Sequence, residues 1–423
     1  MIKFWTGILI GVFYLFSQQT QAQPYPNNTS PGHYHGVPKP GNNQVILPGA
    51  YQTKEYFHLL KGKRVAIFAN HTATLGATHL VDTLQKAGIK ITKIFGPEHG
   101  FRGTADAGEK VDNFIDQQTG IPVISLYGKK KKPSAEDLAD VDVMLFDIQD
   151  VGVRFYTFIS SLQDYMESAR QHRKPLIILD HPNPNGFYVD GPVLDTAFRS
   201  FVGMQPIPVV YGMTIGEYAR FLVGEGLLEK HAGNKLDMTV IKCRNYTHQS
   251  RYHLTEKPSP NLPDDGSIAV YPSTCFFEGT VMSEGRGTEK PFQIFGHPLL
   301  PDTLYAFTPV STAGAKNPKL LNQKCYGWNL SLPANQNPAK QNQLQLKWLL
   351  QAYQMFPDKN NFFIKPKKDN LQPTDFFFNK LAGNGILMQQ IIAGKSEKQI
   401  RESWQPKLNE FKAKRKKYLL YAD

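Results

Sequence analysis

Cysteine is scarce: Cys243, Cys275 and Cys325 are the only three in 423 residues. An odd number at wide spacing makes neither a disulfide framework nor a zinc site, so the fold is held by its core, with at most one bridge and one buried thiol. Long apolar runs are equally rare. Beyond the N-terminus no segment reaches the roughly 18 uninterrupted apolar residues of a spanning helix. Cofactor signatures are missing too. No G-x-G-x-x-G follows the first predicted strand and no G-x-x-x-x-G-K-[ST] occurs, so dinucleotide and phosphate-loop chemistry are unsupported. The absence of H-E-x-x-H and G-x-S-x-G argues against a zincin and against a serine enzyme of the α/β-hydrolase type. A hydrophobic content of 41% with 12% aromatics excludes a disordered tail or a small stapled module.

What is present begins with charge. Lys and Arg total 48 against 36 Asp and Glu, a net charge of +12, which fits nucleic acid, an anionic membrane or an acidic polysaccharide as partner. The N-terminus narrows that choice. Lys3, the apolar run Ile8 to Phe16 and the small-x-small ending Thr20-Gln21-Ala22 predict a signal peptide over 1–22 and a secreted or periplasmic protein, with an uncleaved anchor as the alternative. Residues 23–42, rich in Pro, Gly and Asn, read as a flexible leader. Export removes nucleic acid from the candidate partners, and cleavage leaves no transmembrane segment.

From residue 62 to 181 apolar, β-branched runs recur between helix-like segments: 64–69, 90–95, 122–126, 141–146 and 175–179. Strands of this kind, buried on both faces, belong to parallel sheets. The intervening 78–87 and 160–172 carry Leu, Val and Met at three- and four-residue spacing. The alternation predicts an α/β fold, a Rossmann-like doubly wound parallel sheet over 43–212. The runs end in Asn70-His71, Gly96-Pro97-Glu98-His99, Tyr127-Gly128, Asp147-Ile148-Gln149-Asp150 and Asp180-His181-Pro182-Asn183. Ligands of open α/β sheets bind outside the carboxyl ends of the strands, so these groups mark the edge where a pocket belongs. A second, smaller α/β domain follows over 213–423. It carries predicted helices at 216–227, 344–355, 376–381 and 397–420, strands at 236–241 and 361–364, and a surface excursion over 315–345.

GPEHGFRG (96–103), ADAGE (105–109), TGIPVISLYG (119–128), DIQDVGVRFYTF (147–158), PNPNG (182–186), GMTIGE (212–217), PSPNLP (258–263), EGT (278–280) and SEGRGT (283–288) together resemble the exo-β-N-acetylmuramidase family. SWQPKLNEFKAKRKKYLLY (403–421) extends the resemblance to the C-terminal tail. It implies a secreted glycosidase that removes terminal N-acetylmuramic acid from the non-reducing end of peptidoglycan fragments, in a cleft between a Rossmann-like domain and a smaller C-terminal α/β domain. No cofactor and no metal are called for. Two positions depart from the family pattern: His181 stands where an Arg is usual, and Thr255-Glu256-Lys257 where an aromatic residue precedes the PSPN loop.

Glycoside hydrolysis uses one carboxyl group to protonate the leaving oxygen and another as nucleophile or base. Glu98, in a Gly-bounded turn after a buried strand, is the expected general acid/base, a role that rests mainly on the resemblance. The second carboxylate is expected among Asp147, Asp150, Glu278 and Glu284, with Asp147 and Glu284 favoured for catalysis and Glu278 for substrate binding. The sugar's own acetamido carbonyl is the alternative nucleophile. The lactyl carboxylate of muramic acid calls for a fixed cation, and arginine's planar fork suits it. Arg102, Arg154 and Arg286 are the candidates. Asn70, His99, Tyr156 and Asn183 are expected to add hydrogen bonds and stacking. The competing readings are a metal-dependent hydrolase at the same edge, using His71, His99, His181 and Asp147, and a non-catalytic wall-binding protein. The Lys129 to Lys132 run and the basic terminal helix read as solvated charge, the helix with Trp404 and Phe411 as packing residues.

Overall fold

The computed structural model describes residues 45–98, 100–102, 112–229, 234–331 and 342–423. The expected signal peptide and leader, up to residue 42, lie outside the described residues, as does His99. In chain order the first strands are β1 (Arg64–Ala69), β2 (Thr74–Leu75), β3 (Thr78–His79), β4 (Lys90–Gly96), β5 (Phe114–Ile115), β6 (Pro122–Ser125), β7 (Val143–Asp147), β8 (Leu176–Leu179) and β9 (Met238–Ile241). β2 and β3 form a hairpin; the other seven make one sheet of order β5-β6-β4-β1-β7-β8-β9. All its pairings are parallel except that of the edge strand β5 with β6. The chain starts at the centre, builds one side, and returns to build the other, which is the doubly wound order.

A two-residue period explains why these strands read as unbroken apolar runs. Val65, Ile67 and Ala69 of β1 face one core while Ala66 and Phe68 face another, and β7 and β8 divide their residues in the same way. Helices α1 (Thr53–Leu60) and α2 (Leu80–Lys86) close the first core. α3 (Phe158–Gln171) and α4 (Ile215–Gly224) close the second. β9 joins the sheet beside β8, so the sheet continues past residue 212, where the first domain was expected to end.

The remainder packs onto the α3 and α4 side. It consists of α5 (Asp265–Thr274), an antiparallel sheet of β10 (Ile294–His297), β11 (Tyr305–Phe307) and β12 (Cys325–Asn329), then α6 (Leu346–Met355), α7 (Phe377–Ala382), α8 (Ile386–Ile392) and α9 (Glu397–Arg415). Two expectations change here. Residues 325–329 of the expected surface excursion are the central strand of this sheet. Residues 361–364 form no strand: a 3-10 turn over Lys359–Asn361 runs into them, and Phe363 makes only an isolated bridge to Thr280. All three cysteines are buried and free. Among the described residues no helix is long and apolar enough to cross a membrane.

The C-terminal tail is tied back to the sheet. Asp180, at the end of β8, accepts hydrogen bonds from Gly216 N (2.7 Å) and Thr214 Oγ1 (2.7 Å) at the start of α4, and from the Tyr421 hydroxyl (2.6 Å). Glu217 accepts from Leu420 N at 2.7 Å. Arg415 is buried and donates to Gly212 O at 2.7 Å. Trp404 and Phe411 of α9 are buried as expected. Part of the basic helix is therefore structural rather than solvated.

Candidate active site

One cleft of about 360 Å³ is lined from both halves of the chain. Glu98 enters it from the turn after β4, where Gly100 adopts a φ of 75° that a side chain rarely tolerates. Tyr127 enters from the end of β6, and Thr157 from the N-cap position of α3. The Tyr127 hydroxyl donates to Glu98 Oε1 at 3.0 Å and Thr157 Oγ1 donates to Oε2 at 2.9 Å. A hydroxyl both donates and accepts, so this pair holds both carboxyl oxygens in either protonation state. Burial, together with the neighbouring Glu98 charge, raises the Tyr127 phenol above its ordinary range and keeps it a neutral donor.

The second half supplies Glu278, from a 3-10 turn after α5, and Arg286. Arg286 Nη2 meets Glu278 Oε1 at 2.5 Å, and Nε lies 3.4 Å from Glu284 Oε1. Among the described residues Arg286 Nη1 has no hydrogen-bond acceptor. Burial opposes the guanidinium charge, but Glu278 and Glu284 outweigh it and raise the pKa, so the cation is permanent. Glu284 itself is buried, 2.8 Å from Lys319 Nζ, which also donates to the carbonyls of Phe277 (2.7 Å) and Thr280 (3.0 Å). Phe155, Tyr156, Tyr271 and Phe292 give the cleft aromatic walls, and Ser259 and Asn261 add polar groups.

Of the residues singled out in the sequence, Glu98, Tyr156, Glu278 and Arg286 line this cleft. The others do not. Asp147, expected to be catalytic, is fully buried and receives His181 Nε2 at 2.6 Å, while His181 Nδ1 faces Gln149 Oε1 at 3.1 Å. Glu284, also expected to be catalytic, anchors Arg286 and Lys319 from behind the cleft wall. Asn70 is buried, with its side-chain oxygen accepting from Thr72 N and Oγ1. Asn183 is buried too, and donates to Met213 O at 2.8 Å. Both therefore brace loops.

Two of the three arginine candidates are likewise placed elsewhere. Arg102 makes a two-pronged pair with Asp116 (3.0 and 2.7 Å). Arg154 is fully buried and donates to the carbonyls of Pro192, Ile207 and Leu381 at 2.6–2.8 Å, which ties the loop after β7 to the end of α7. Burial without an acidic partner lowers its pKa to about 9. Tyr156 is buried and donates to Pro258 O at 2.8 Å, so it walls the cleft while holding the 258–263 loop.

Of the described members of the imidazole and carboxylate constellation, His181 and Asp147 pair at 2.6 Å. His71 meets Lys257 O at 2.6 Å. Among the described residues no group of three His, Cys, Asp or Glu gathers as a ligand set. In the lysine run Lys129 and Lys131 are exposed as expected, but three of the four lysines also have partners: Lys130 pairs with Asp137 at 2.5 Å, Lys131 lies 3.9 Å above the Phe201 ring, and Lys132 pairs with Glu167 and Glu229. Sequence reasoning missed Tyr127 and Thr157 as partners of Glu98, although Tyr127 ends a strand as Glu98 follows one. It also missed Lys319, which fell within the expected excursion, and Phe201, which no pattern marks.

Comparisons with known proteins also divide the chain into two parts. Residues 65–266 match the family described as Exo-beta-N-acetylmuramidase NamZ, N-terminal, and residues 269–421 match its C-terminal counterpart. The chain is 37% identical over 385 residues to Peptidoglycan beta-N-acetylmuramidase NamZ of Bacillus subtilis (strain 168), covering 87% of this chain and 89% of that protein. Two solved structures of DUF1343 family proteins from Bacteroides fragilis share the fold. One is 44% identical with a TM-score of 0.80, covering 90% of this chain and all of the other; the second is 27% identical with a TM-score of 0.75, covering 89% and 99%. Matched along both halves, the chain belongs to the exo-β-N-acetylmuramidase NamZ family.

Proposed function

We infer that this protein is an exo-acting glycoside hydrolase that releases terminal β-linked N-acetylmuramic acid from peptidoglycan fragments. The observation that carries the residue-level reading is the joint lining of one cleft by Glu98, Glu278 and Arg286. Glu98 is the acid that protonates the leaving oxygen, oriented by Tyr127 and Thr157 through both its oxygens. Glu278 is the second carboxylate of the cleft, serving as base or as the group that orients the substrate's acetamido carbonyl. Arg286, with Nη1 open to a further acceptor, takes the lactyl carboxylate. Tyr156, Tyr271 and Phe292 supply the apolar surface on which a sugar ring rests.

The protein acts outside the cytoplasm, a reading that rests on the signal-peptide pattern of residues 1–22. The activity is tested with a chromogenic N-acetylmuramic acid glycoside and its N-acetylglucosamine analogue. Release from the first and not the second is expected. Release from neither contradicts the reading.

A further inference from the structure

The loop over 309–322 contributes no lining residue to the cleft, yet it meets three segments that do. Val310 N donates to Gly287 O at 2.8 Å, beside Arg286, and Gly314 O accepts from Asn261 Nδ2 at 2.8 Å. The packing there is close. Gly287 has a φ of 77°, and a Cβ on it would stand 2.4 Å from Val310 O and 2.6 Å from Pro318 Cγ. The third tie is Lys319. An ammonium has three donors, and three acceptors surround this one: Phe277 O at 2.7 Å, Thr280 O at 3.0 Å and Glu284 Oε2 at 2.8 Å. The two carbonyls bracket Glu278 in the chain, and the carboxylate is the one beside Arg286 Nε.

Burial decides what would follow if that ammonium were lost. Arg286 stands between two carboxylates, 2.5 Å from Glu278 and 3.4 Å from Glu284. The Glu284 side chain is 3% exposed and that of Glu278 20%. Water can reach Glu278 but not Glu284, so leaving Glu284 unpaired costs more. With Lys319 in place Glu284 is already paired, and the guanidinium stays on Glu278. Without it, Glu284 draws the guanidinium inward. The other oxygen of Glu278 meets the Cys275 thiol at 3.7 Å, a weak donor that does not replace an arginine. We propose that Lys319 is a positioning residue, holding the turn that carries Glu278 and keeping Arg286 directed at the cleft. Its effect on turnover rests on the glycosidase reading of that cleft; its effect on Arg286 does not.

Steady-state kinetics on the chromogenic N-acetylmuramic acid glycoside separate this role from a structural one. Lys319→Met is expected to raise KM about tenfold, as one charge-assisted hydrogen bond to the lactyl group is lost, and to lower kcat as the Glu278 turn loosens. A merely structural lysine would lower the folded fraction, and with it kcat, at an unchanged KM; that result overturns the proposal. Lys319→Cys alkylated with 2-bromoethylamine rebuilds an ammonium of the same length, while the three native cysteines are buried. Both constants are expected to return, and a KM that stays raised overturns the proposal. Should Lys319→Met fail to fold, Lys319→Gln, whose amide still donates to a carbonyl, carries the same expectation. Crystal structures of the wild type and Lys319→Gln decide the matter without substrate. Arg286 Nη2 is expected to leave Glu278 for Glu284, and a pair kept at hydrogen-bond distance overturns the proposal. Should the wild type cleave no glycoside, the function reading falls and this structural comparison alone decides the role of Lys319.

Discussion

The carboxyl edge of the sheet has two regions of opposite character. At the ends of β4 and β6 the chain turns outward, and Glu98 and Tyr127 reach a cleft. At the ends of β1, β7 and β8 equally polar groups are sealed: Asn70, Asp147 and Asp180 are all 0% exposed and engaged with neighbouring loops. The two regions obey the same strand-end rule, yet only one is open. What separates them is the later chain. The tail residue Tyr421 and the start of α4 close over Asp180, whereas the 3-10 turn at 275–279 and the 283–289 loop face Glu98 across open space. A polar strand end thus marks an edge, and long-range packing decides which part of it can do chemistry.

Substitutions can break this contrast. The largest effect is expected for Glu98→Gln, which keeps the hydroxyl partners and removes the proton. kcat on a disaccharide with a poor leaving group falls by about 10³-fold, and less on an activated aryl glycoside. Steady-state kinetics on the two substrates check it. Arg286→Lys is the next in size. It keeps the charge beside Glu278 and Glu284 but loses the fork, so selectivity for muramic acid over glucosamine glycosides falls by about tenfold, seen in the ratio of kcat/KM values.

A smaller effect belongs to the sealed region and appears only in stability. Burial holds the Asp150 carboxyl at about 6, against the hydrogen bonds from Tyr211 and Gly152. Because this folded value exceeds the ordinary 3.8, its stabilising contribution is complete below pH ~3.8 and is lost as pH rises through ~6. Asp150→Asn removes that dependence. Relative to wild type, the variant should gain up to about 3 kcal/mol between pH 4 and pH 7.5, measured by denaturant unfolding at both values. A constant difference would show that Asp150 titrates normally.

The central sheet was legible because burial on both faces writes an unbroken apolar run, as in β1, β7 and β8. β5 was not, since two exposed residues on an edge leave no pattern. β12 was hidden by its composition: Cys325, Tyr326, Gly327, Trp328 and Asn329 alternate in burial, but Gly327 carries no side chain to show it. In the site, Glu98 and Arg286 were readable from motifs that match a family. Asp147 was misleading because a carboxylate at a strand end looks the same in sequence whether it faces a substrate or a buried histidine. Arg154 posed the same problem, since three backbone carbonyls from distant segments leave no local trace. Lys319 and Phe201 act through contacts 35 or more residues away, and only the folded chain reveals them.

The most direct measurement sets Glu98→Gln beside Asp147→Ala and records kcat and thermal midpoint for each. A clean crossing is expected. Glu98→Gln loses activity at an unchanged midpoint. Asp147→Ala, which leaves His181 buried without its carboxylate, loses about 3 kcal/mol or more of stability but keeps kcat near wild type wherever it is folded. An active Glu98→Gln enzyme, or an inactive Asp147→Ala enzyme with wild-type stability, would contradict it.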